Sequence, residues 1–148
     1  MLTDEIMIVS YDFRNHKPVI FTKHAAQSDP RMNVDISDAA QASSAAPIYF
    51  DPKDMSKYGL SNALIDGGVI ANSPAFYSYL HVKYTKQSKL PIRVISIGTG
   101  EKQPETISSQ SINKMTWVTE IPALITTVEQ NTHDYLMREL LVSDYHRW

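Results

Sequence analysis

The sequence predicts a single-domain α/β fold, because strand-like and helix-like segments alternate along its 148 residues. The strand predictions rest on short runs rich in apolar and β-branched residues, at 6–11, 19–22, 62–65 and 91–97. The helix predictions rest on capping residues and on apolar side chains at helical spacing, within 35–44, 74–87 and 121–140. The chain shows no internal repeat and no linker that would divide it.

In the first half of the chain, two strand-like runs flank the polar segment 12–18 and predict a strand pair. The segment Asp35-Ile36-Ser37-Asp38 offers candidate N-caps for a short alanine-rich helix that extends to about Ser44. Pro47 ends this helix, because the residue before a proline avoids helical conformations. The following run, 48–50, has the composition of a strand.

In the second half, residues 62–65 lead as a strand into Asp66-Gly67-Gly68. Asn72-Ser73-Pro74 predicts a helix start, because a capping side chain precedes a proline at the first helical position. The run 91–97 is apolar apart from Arg93 and Ser96, which predicts a strand buried on both faces, and Gly98-Thr99-Gly100 ends it. Ligands of α/β folds bind beyond the carboxyl ends of the strands, where both glycine segments lie.

Asp66 is the candidate catalytic residue. It follows a strand and precedes two glycines, which let the backbone turn sharply and approach another element closely. A carboxylate oriented by such a turn suits a general base or the third member of a catalytic triad. Because Asp-Gly is also a common turn signal with no chemical role, the local pattern leaves both interpretations open.

Composition and spacing exclude several other classes of function. The net charge of −2 and the pI of about 6.2 give no basic field for nucleic acid. The chain has no cysteine, and its five histidines lack metal-ligand spacing, so we predict no metal and no cofactor. Gly98-Thr99-Gly100 lacks the third glycine of a dinucleotide fingerprint and the lysine of a P-loop. No apolar run approaches the roughly 18 residues of a membrane-spanning helix, and the compartment stays open.

Four segments, in order, resemble the patatin-like phospholipases. They are the strand pair ending in Lys17-Pro18-Val19-Ile20-Phe21, the small-residue helix and turn Ala42-Ser43-Ser44-Ala45-Ala46-Pro47-Ile48-Tyr49-Phe50, the aspartate segment Leu64–Ala75, and Ser96-Ile97-Gly98-Thr99-Gly100. A lone Asp-Gly-Gly is a weak signal, whereas four ordered segments over residues 6–100 are a strong one. The resemblance implies a three-layer fold with a mostly parallel central sheet, of which residues 1–148 are the C-terminal part.

The resemblance also implies a hydrolase with a serine–aspartate dyad, in which a serine attacks an ester carbonyl and the aspartate accepts the serine proton. By position, Asp66 is that aspartate, Gly67 and Gly68 shape its loop, and Asn72, Ser73 and Pro74 start the next helix. Gly98, Thr99 and Gly100 are implied to pack beside the Asp66 loop. The implied substrates are lipid acyl esters, and a membrane surface is a further implied contact, for which Tyr77, Tyr79, Tyr84 and Trp117 are candidates. Aromatic side chains at such spacing are more often core residues.

Two elements of the family are missing from the sequence, the glycine-rich oxyanion loop and the Gly-x-Ser-x-Gly nucleophile elbow. This chain therefore supplies no nucleophile of its own, and we expect a missing N-terminal segment or a partner chain to supply it. The alternatives are a non-catalytic remnant that binds lipid or a partner, and a fragment without function. We also expect the isolated chain to be aggregation-prone, because a partial sheet exposes a strand edge and one side of a core.

Overall fold

A computed structural model describes residues 5–85, 91–100 and 114–148, with the backbone alone for 114–119 and for residue 122. The chain forms two compact units, Met1–Pro74 and Ala75–Trp148. Asp66 lies in the first unit.

The first unit is built on a three-stranded sheet with the order β2-β1-β3. Strand β1 (Met7–Asp12) and strand β2 (Lys17–Thr22) form an antiparallel hairpin in which Val9 lies opposite Ile20. Strand β3 (Leu64–Asp66) pairs antiparallel with the other edge of β1, which places Asp66 opposite Ser10. The central strand of the sheet is therefore the first strand in the sequence.

Three helices accompany this sheet, α1 (Lys23–Ser28), α2 (Ile36–Ser43) and α3 (Gly68–Ala71). Short 3-10 turns lie at Pro30–Met32 and Ser56–Tyr58. Helix α2 packs on the sheet through small side chains, and the resulting core contains Phe21, Ala39, Ala42, Met55 and Leu64. Alanine at the contact positions lets the helix backbone approach the strands closely, and this brings the end of α2 beside β3.

The second unit contains helix α4 (Ala75–Thr85), strand β4 (Val94–Ser96), helix α5 (Lys114–Leu141) and strand β5 (Tyr145–Arg147). A 3-10 turn at Val142–Asp144 joins α5 to β5. The two strands are parallel, with Ile95 opposite His146. The two helices pack against them around a core of Ala75, Tyr79, Met137 and Tyr145.

The α/β class is confirmed, and so are the first strand pair, helix α2, strand β3 and a helix that begins directly after Pro74. The described residues form an antiparallel three-stranded sheet and one parallel pair, β4 and β5, and this mixed α/β arrangement is consistent with a partial domain of the implied fold. The connection between β1 and β2 accounts for the antiparallel direction of that pair. Only residues 13–16 join them, whereas a parallel pair needs a crossover of about a dozen residues or more.

One strand prediction is wrong. Residues 48–50 form a turn in which the amides of Tyr49 and Phe50 both donate to the Ala46 carbonyl, at 3.1 and 2.9 Å. The strand predicted at 91–97 is confirmed only over the three residues of β4, and its faces differ: Val94 packs against the core, whereas Ile95 is 62% exposed. The mostly apolar composition of this run therefore did not correspond to burial on both faces.

Across the helices that the structure describes, none is long and apolar enough to cross a membrane.

Candidate functional site

Asp66 stands at the end of β3, and the end of α2 holds its backbone. The Asp66 amide donates to the Ala45 carbonyl at 3.0 Å, and the Gly67 amide donates to the Ser43 carbonyl at 3.1 Å. These two acceptors lie at and just beyond the last turn of α2, where helix carbonyls have no partner within the helix. The same contacts therefore satisfy the helix end and fix the backbone on which the carboxylate is carried.

The carboxylate of Asp66 is oriented by its own turn. Its Oδ1 atom accepts a hydrogen bond of 2.6 Å from the Gly68 amide, two residues further along the chain. Charge-assisted bonds of this kind are stronger than neutral ones, so this contact restricts rotation of the side chain. Among the residues that the structure describes, none donates a hydrogen bond to Oδ2 of the half-buried carboxylate. One oxygen is thus held and the other is available as an acceptor.

Glycine is required at the two positions after Asp66 because a side chain would collide with neighbouring atoms, and not because the backbone has unusual dihedral angles. Gly67 has an ordinary helical conformation, with φ at −66°, but a Cβ atom there would lie 2.1 Å from the Val9 carbonyl oxygen. At Gly68, a Cβ would lie 3.0 Å from Oδ1 of Asp66 and 3.4 Å from Oδ1 of Asn72. A side chain at the first position would collide with β1, and one at the second would press on the carboxylate.

An open pocket of about 320 Å³ lies against this turn. Backbone and side chains from the start of β1, the end of α2 and the turn line it: Met7, Ile8, Val9, Ser43, Asp66, Gly67, Gly68, Ala71, Asn72 and Pro74. Five of the residues predicted for the site therefore meet at one pocket. Ser73, which lies between Asn72 and Pro74 in the sequence, is buried (5% exposed). Helix α4 begins directly after Pro74.

Gly98, Thr99 and Gly100 belong to the second unit, where they follow β4. The Gly98 amide donates to the Trp148 carbonyl at 2.8 Å, and the Trp148 amide donates to the Ser96 carbonyl at 2.9 Å, so the ladder between β4 and β5 continues to the end of the chain. Gly100 has a φ of 98°, a conformation that favours glycine. Packing of these residues beside the Asp66 loop stays a prediction.

The aromatic candidates for a lipid surface have different environments. Tyr79 is a core residue (7% exposed) and Tyr77 is half-buried in an edge-to-face contact with His133, whereas Tyr84 is exposed. The side chain of Trp117 lies outside the described residues. In the part of the chain that the structure describes, no three His, Cys, Asp or Glu side chains form a group that could hold a metal.

Ser10 is a neighbour of Asp66 in the sheet that the sequence did not indicate. It is fully buried on β1, and its hydroxyl lies 2.7 Å from the Ile65 carbonyl and 3.2 Å from the Ala42 carbonyl. One hydroxyl thus links β1 to β3 and α2, immediately beside Asp66. A polar residue inside the apolar run 6–11 was the available signal.

Asp38 on α2 makes a cluster of contacts that sequence reasoning missed. Its carboxylate lies 2.7 Å from the ammonium groups of both Lys53 and Lys57, and it accepts a hydrogen bond of 2.8 Å from the Tyr58 hydroxyl. These hydrogen bonds, first that from Lys53, hold the pKa of the Asp38 carboxyl well below its usual range. The contacts attach α2 to the loop that precedes β3.

The fold and the site define an α/β protein whose pocket is built around a strand-end aspartate in an Asp-Gly-Gly turn. The sequence profile described as "Patatin-like phospholipase" matches residues 5–78, which include the whole of this turn. The chain belongs to the patatin-like phospholipase family. This confirms the resemblance and identifies the chain as a partial domain of that fold.

Three relatives illustrate the similarity. The chain is 31% identical to a cGAMP-activated phospholipase of Escherichia coli (strain TW11681), over 97% of its own length and 44% of the relative's. It is 33% identical to Patatin-like protein 4 of Arabidopsis thaliana, over 68% of this chain and 28% of the relative. It is 28% identical to Patatin-15 of Solanum tuberosum, over 88% of this chain and 40% of the relative. The chain thus spans less than half the length of each of these relatives.

Proposed function

We propose that this chain supplies the aspartate of a lipid acyl hydrolase, in which Asp66 accepts the proton of a nucleophilic serine. The observation that carries the proposal is the asymmetry of the Asp66 carboxylate. Oδ1 is held by the Gly68 amide at 2.6 Å, and Oδ2 accepts no hydrogen bond from the described residues, at the wall of an open pocket. A base that is fixed in orientation and has one available oxygen suits direct proton transfer.

The proposed reaction has two halves. The serine hydroxyl attacks the ester carbonyl while its proton moves to Oδ2 of Asp66, and the tetrahedral intermediate then expels the alcohol, which takes up that proton. In the second half a water molecule attacks the acyl-serine, Asp66 accepts a proton from the water, and the serine recovers it as the fatty acid leaves. The aspartate is unchanged over one cycle, as general base catalysis requires.

The serine is proposed to lie outside these 148 residues, because none of the serines in the sequence has a Gly-x-Ser-x-Gly context. The names of the relatives, which include a phospholipase, support an ester of a lipid as substrate. Further polypeptide or a partner chain would contribute the nucleophile and the oxyanion loop. The pocket at the start of β1 is where we propose that this nucleophile meets Asp66.

The test uses hydrolysis of short-chain and long-chain p-nitrophenyl esters by this chain and by a serine-bearing polypeptide that contains it. We expect activity only in the latter, and we expect Asp66→Asn to lower its kcat by about 10⁴-fold, the order found for the aspartate of a comparable serine hydrolase. Asp51→Asn is the matched control, since Asp51 is an exposed loop aspartate. Activity of Asp66→Asn within tenfold of the wild type would overturn the assignment of the base.

A second candidate function is a remnant that binds lipid without hydrolysing it. The observation that favours it is an apolar stripe on α5, where Ile121, Leu124, Ile125 and Val128 are 42 to 54% exposed. In this case the chain would co-sediment with phospholipid vesicles, and no serine-bearing polypeptide that contains it would hydrolyse esters. Hydrolysis that depends on Asp66 would exclude this candidate.

A further inference from the structure

The position of Asp66 depends on α2, because the carbonyls of Ser43 and Ala45 receive the amides of Gly67 and Asp66. A displacement of α2 relative to β3 would lengthen both hydrogen bonds and move the carboxylate. What holds α2 in register with β3 therefore bears directly on the site.

Lys53 is bonded to both elements at once. Its amide donates to the Leu64 carbonyl at 2.7 Å and its carbonyl accepts from the Leu64 amide at 3.0 Å, so its backbone pairs with β3 two residues before Asp66. Its ammonium group lies 2.7 Å from Oδ1 of Asp38 and 2.6 Å from Oε1 of Gln41, which are both on α2. The Lys53 side chain is 23% exposed and that of Asp38 is 10% exposed, so water screens this pair less than it would a surface pair.

We propose that Lys53 is a positioning residue for Asp66: it fixes β3 to α2, so that the helix end presents its carbonyls to the Asp66 and Gly67 amides. Its catalytic meaning rests on the proposed function, whereas its structural effect can be measured without any reaction. Lys53 touches neither the carboxylate nor the pocket beside it.

Lys57 provides a matched comparison within the same cluster. It also lies 2.7 Å from the Asp38 carboxylate, but its backbone is in the 3-10 turn Ser56–Tyr58 and makes no ladder bond with β3. Its side chain is 58% exposed. Replacing either lysine removes one positive charge and one ion pair with Asp38, and replacing Lys57 also removes a longer contact of 3.9 Å with Asp35. Of the two lysines, only Lys53 is bonded both to α2 and to the strand that carries Asp66.

The first measurement is hydrogen exchange of the full chain, with overlapping peptides that isolate the Asp66 and Gly67 amides. We expect Lys53→Met to accelerate exchange of both amides at least tenfold, whereas Lys57→Met leaves them within about twofold. The β1–β2 ladder should change little in either variant, which separates loosening of the turn from global unfolding. If Lys53→Met does not fold, Lys53→Gln is measured in its place, because it keeps a polar side chain at the position.

Equal exchange in the two methionine variants, or no acceleration in either, would overturn the proposal. Lys53→Arg should restore slow exchange, since it keeps the positive charge, and failure of this rescue would count against a role for the ion pair.

Ester hydrolysis by the serine-bearing polypeptide gives the second measurement. We expect Lys53→Met to lower kcat at least tenfold with KM within about twofold, because substrate binding does not involve the lysine. An unchanged kcat in a polypeptide that Asp66→Asn inactivates would overturn the positioning role. The Asp66→Asn variant tests the proposed function separately: if it stays active while Lys53→Met still loosens the turn, the proposed base is wrong and the structural link stands.

Discussion

The carboxylate of Asp66 is positioned almost entirely by backbone groups. The Gly68 amide holds Oδ1, and the Ser43 and Ala45 carbonyls hold the turn beneath it. The orientation of the carboxylate therefore depends on how α2 and β3 are held together within the first unit. A side chain at Gly67 would collide with β1 and one at Gly68 would press on the carboxylate, so substitution at either position should disturb the turn.

We predict that Gly67→Ala destabilises the chain by about 3 kcal/mol or more, the upper range for overpacking, because the new Cβ would lie 2.1 Å from the Val9 carbonyl oxygen. Gly59→Ala is the control. Its φ is 74°, and a Cβ there would meet only the flexible Arg31 side chain at 3.4 Å, so the expected cost is about 1–2 kcal/mol, that of the left-handed conformation. The measurement is urea unfolding followed by circular dichroism. A cost at Gly67 no larger than at Gly59 would contradict the close approach to β1.

The sequence was sufficient to predict Asp66 as the candidate site residue but not to predict the residues that contact its turn. Asp66, Gly67 and Gly68 are adjacent, so their relation is a local pattern that the chain displays directly. The contacts of Ser10 instead span 32 and 55 residues, to Ala42 and Ile65. Only the folded backbone brings such residues together, and a single serine or lysine carries no local mark of a distant partner.

At the scale of elements, one carboxylate on α2 makes three of the contacts that join this helix to the loop before β3. Asp38 is a buried residue that faces the ammonium groups of Lys53 and Lys57 and the hydroxyl of Tyr58, and all three stabilise its ionised form. Replacing this carboxylate by an uncharged group should weaken the attachment of α2, and the size of the effect should depend on pH.

Folding lowers the pKa of Asp38. The Asp38 carboxylate therefore contributes its full stabilisation above the pKa of the unfolded chain, about 3.9, and loses it as the pH falls through the pKa of the folded chain. We therefore predict that Asp38→Asn lowers the urea midpoint by a constant amount between pH 7 and about pH 5. Below about pH 4 the difference from the wild type should shrink. An undiminished difference at pH 3 would mean that the charge of Asp38 does not stabilise the fold.

Elements were predictable where local signals and tertiary contacts agreed. The β-branched residues of β1 and β2 and the alanine-rich α2 met both conditions. Residues 48–50 did not, because the turn at Ala46 takes the amides that a strand would use, and Ile48 adopts a φ of 77° with 92% of its surface exposed. Apolar composition alone cannot distinguish a buried strand from an exposed apolar turn.

At the scale of the whole molecule, many large apolar side chains are exposed on the described part of the chain. On α5, Ile121, Leu124, Ile125 and Val128 follow helical spacing and are all exposed. An apolar stripe of this kind promotes association in water. This apolar stripe is therefore a specific surface through which the isolated chain could aggregate.

We predict that the 148-residue chain self-associates at micromolar concentrations in sedimentation velocity, and that Val128→Lys reduces this association. Thr127→Lys is the matched control, since it adds the same charge at the adjacent exposed residue of α5, and it should have less effect. A monomer with a sharp, reversible thermal transition would contradict the prediction.

Strand direction was the feature of the whole molecule that the sequence could not provide. The family resemblance implied a mostly parallel sheet, whereas the described strands around Asp66 are antiparallel. Period and composition place a residue in a strand, but they do not determine which strands become neighbours. The short connection at 13–16 was the only local indication of an antiparallel pair.

The position of β1 at the centre of its sheet has a consequence for synthesis on the ribosome. Its hairpin partner β2 follows within a few residues, but Ile65, whose carbonyl receives the Ser10 hydroxyl, is made 55 residues later. At about 5 to 20 residues per second, the second edge of β1 waits roughly 3 to 11 s for β3. A two-stranded hairpin is only marginally stable in water, so the nascent chain offers this edge to other strands during that interval. A slower codon run between residues 22 and 64 would lengthen the exposure without changing a single amino acid.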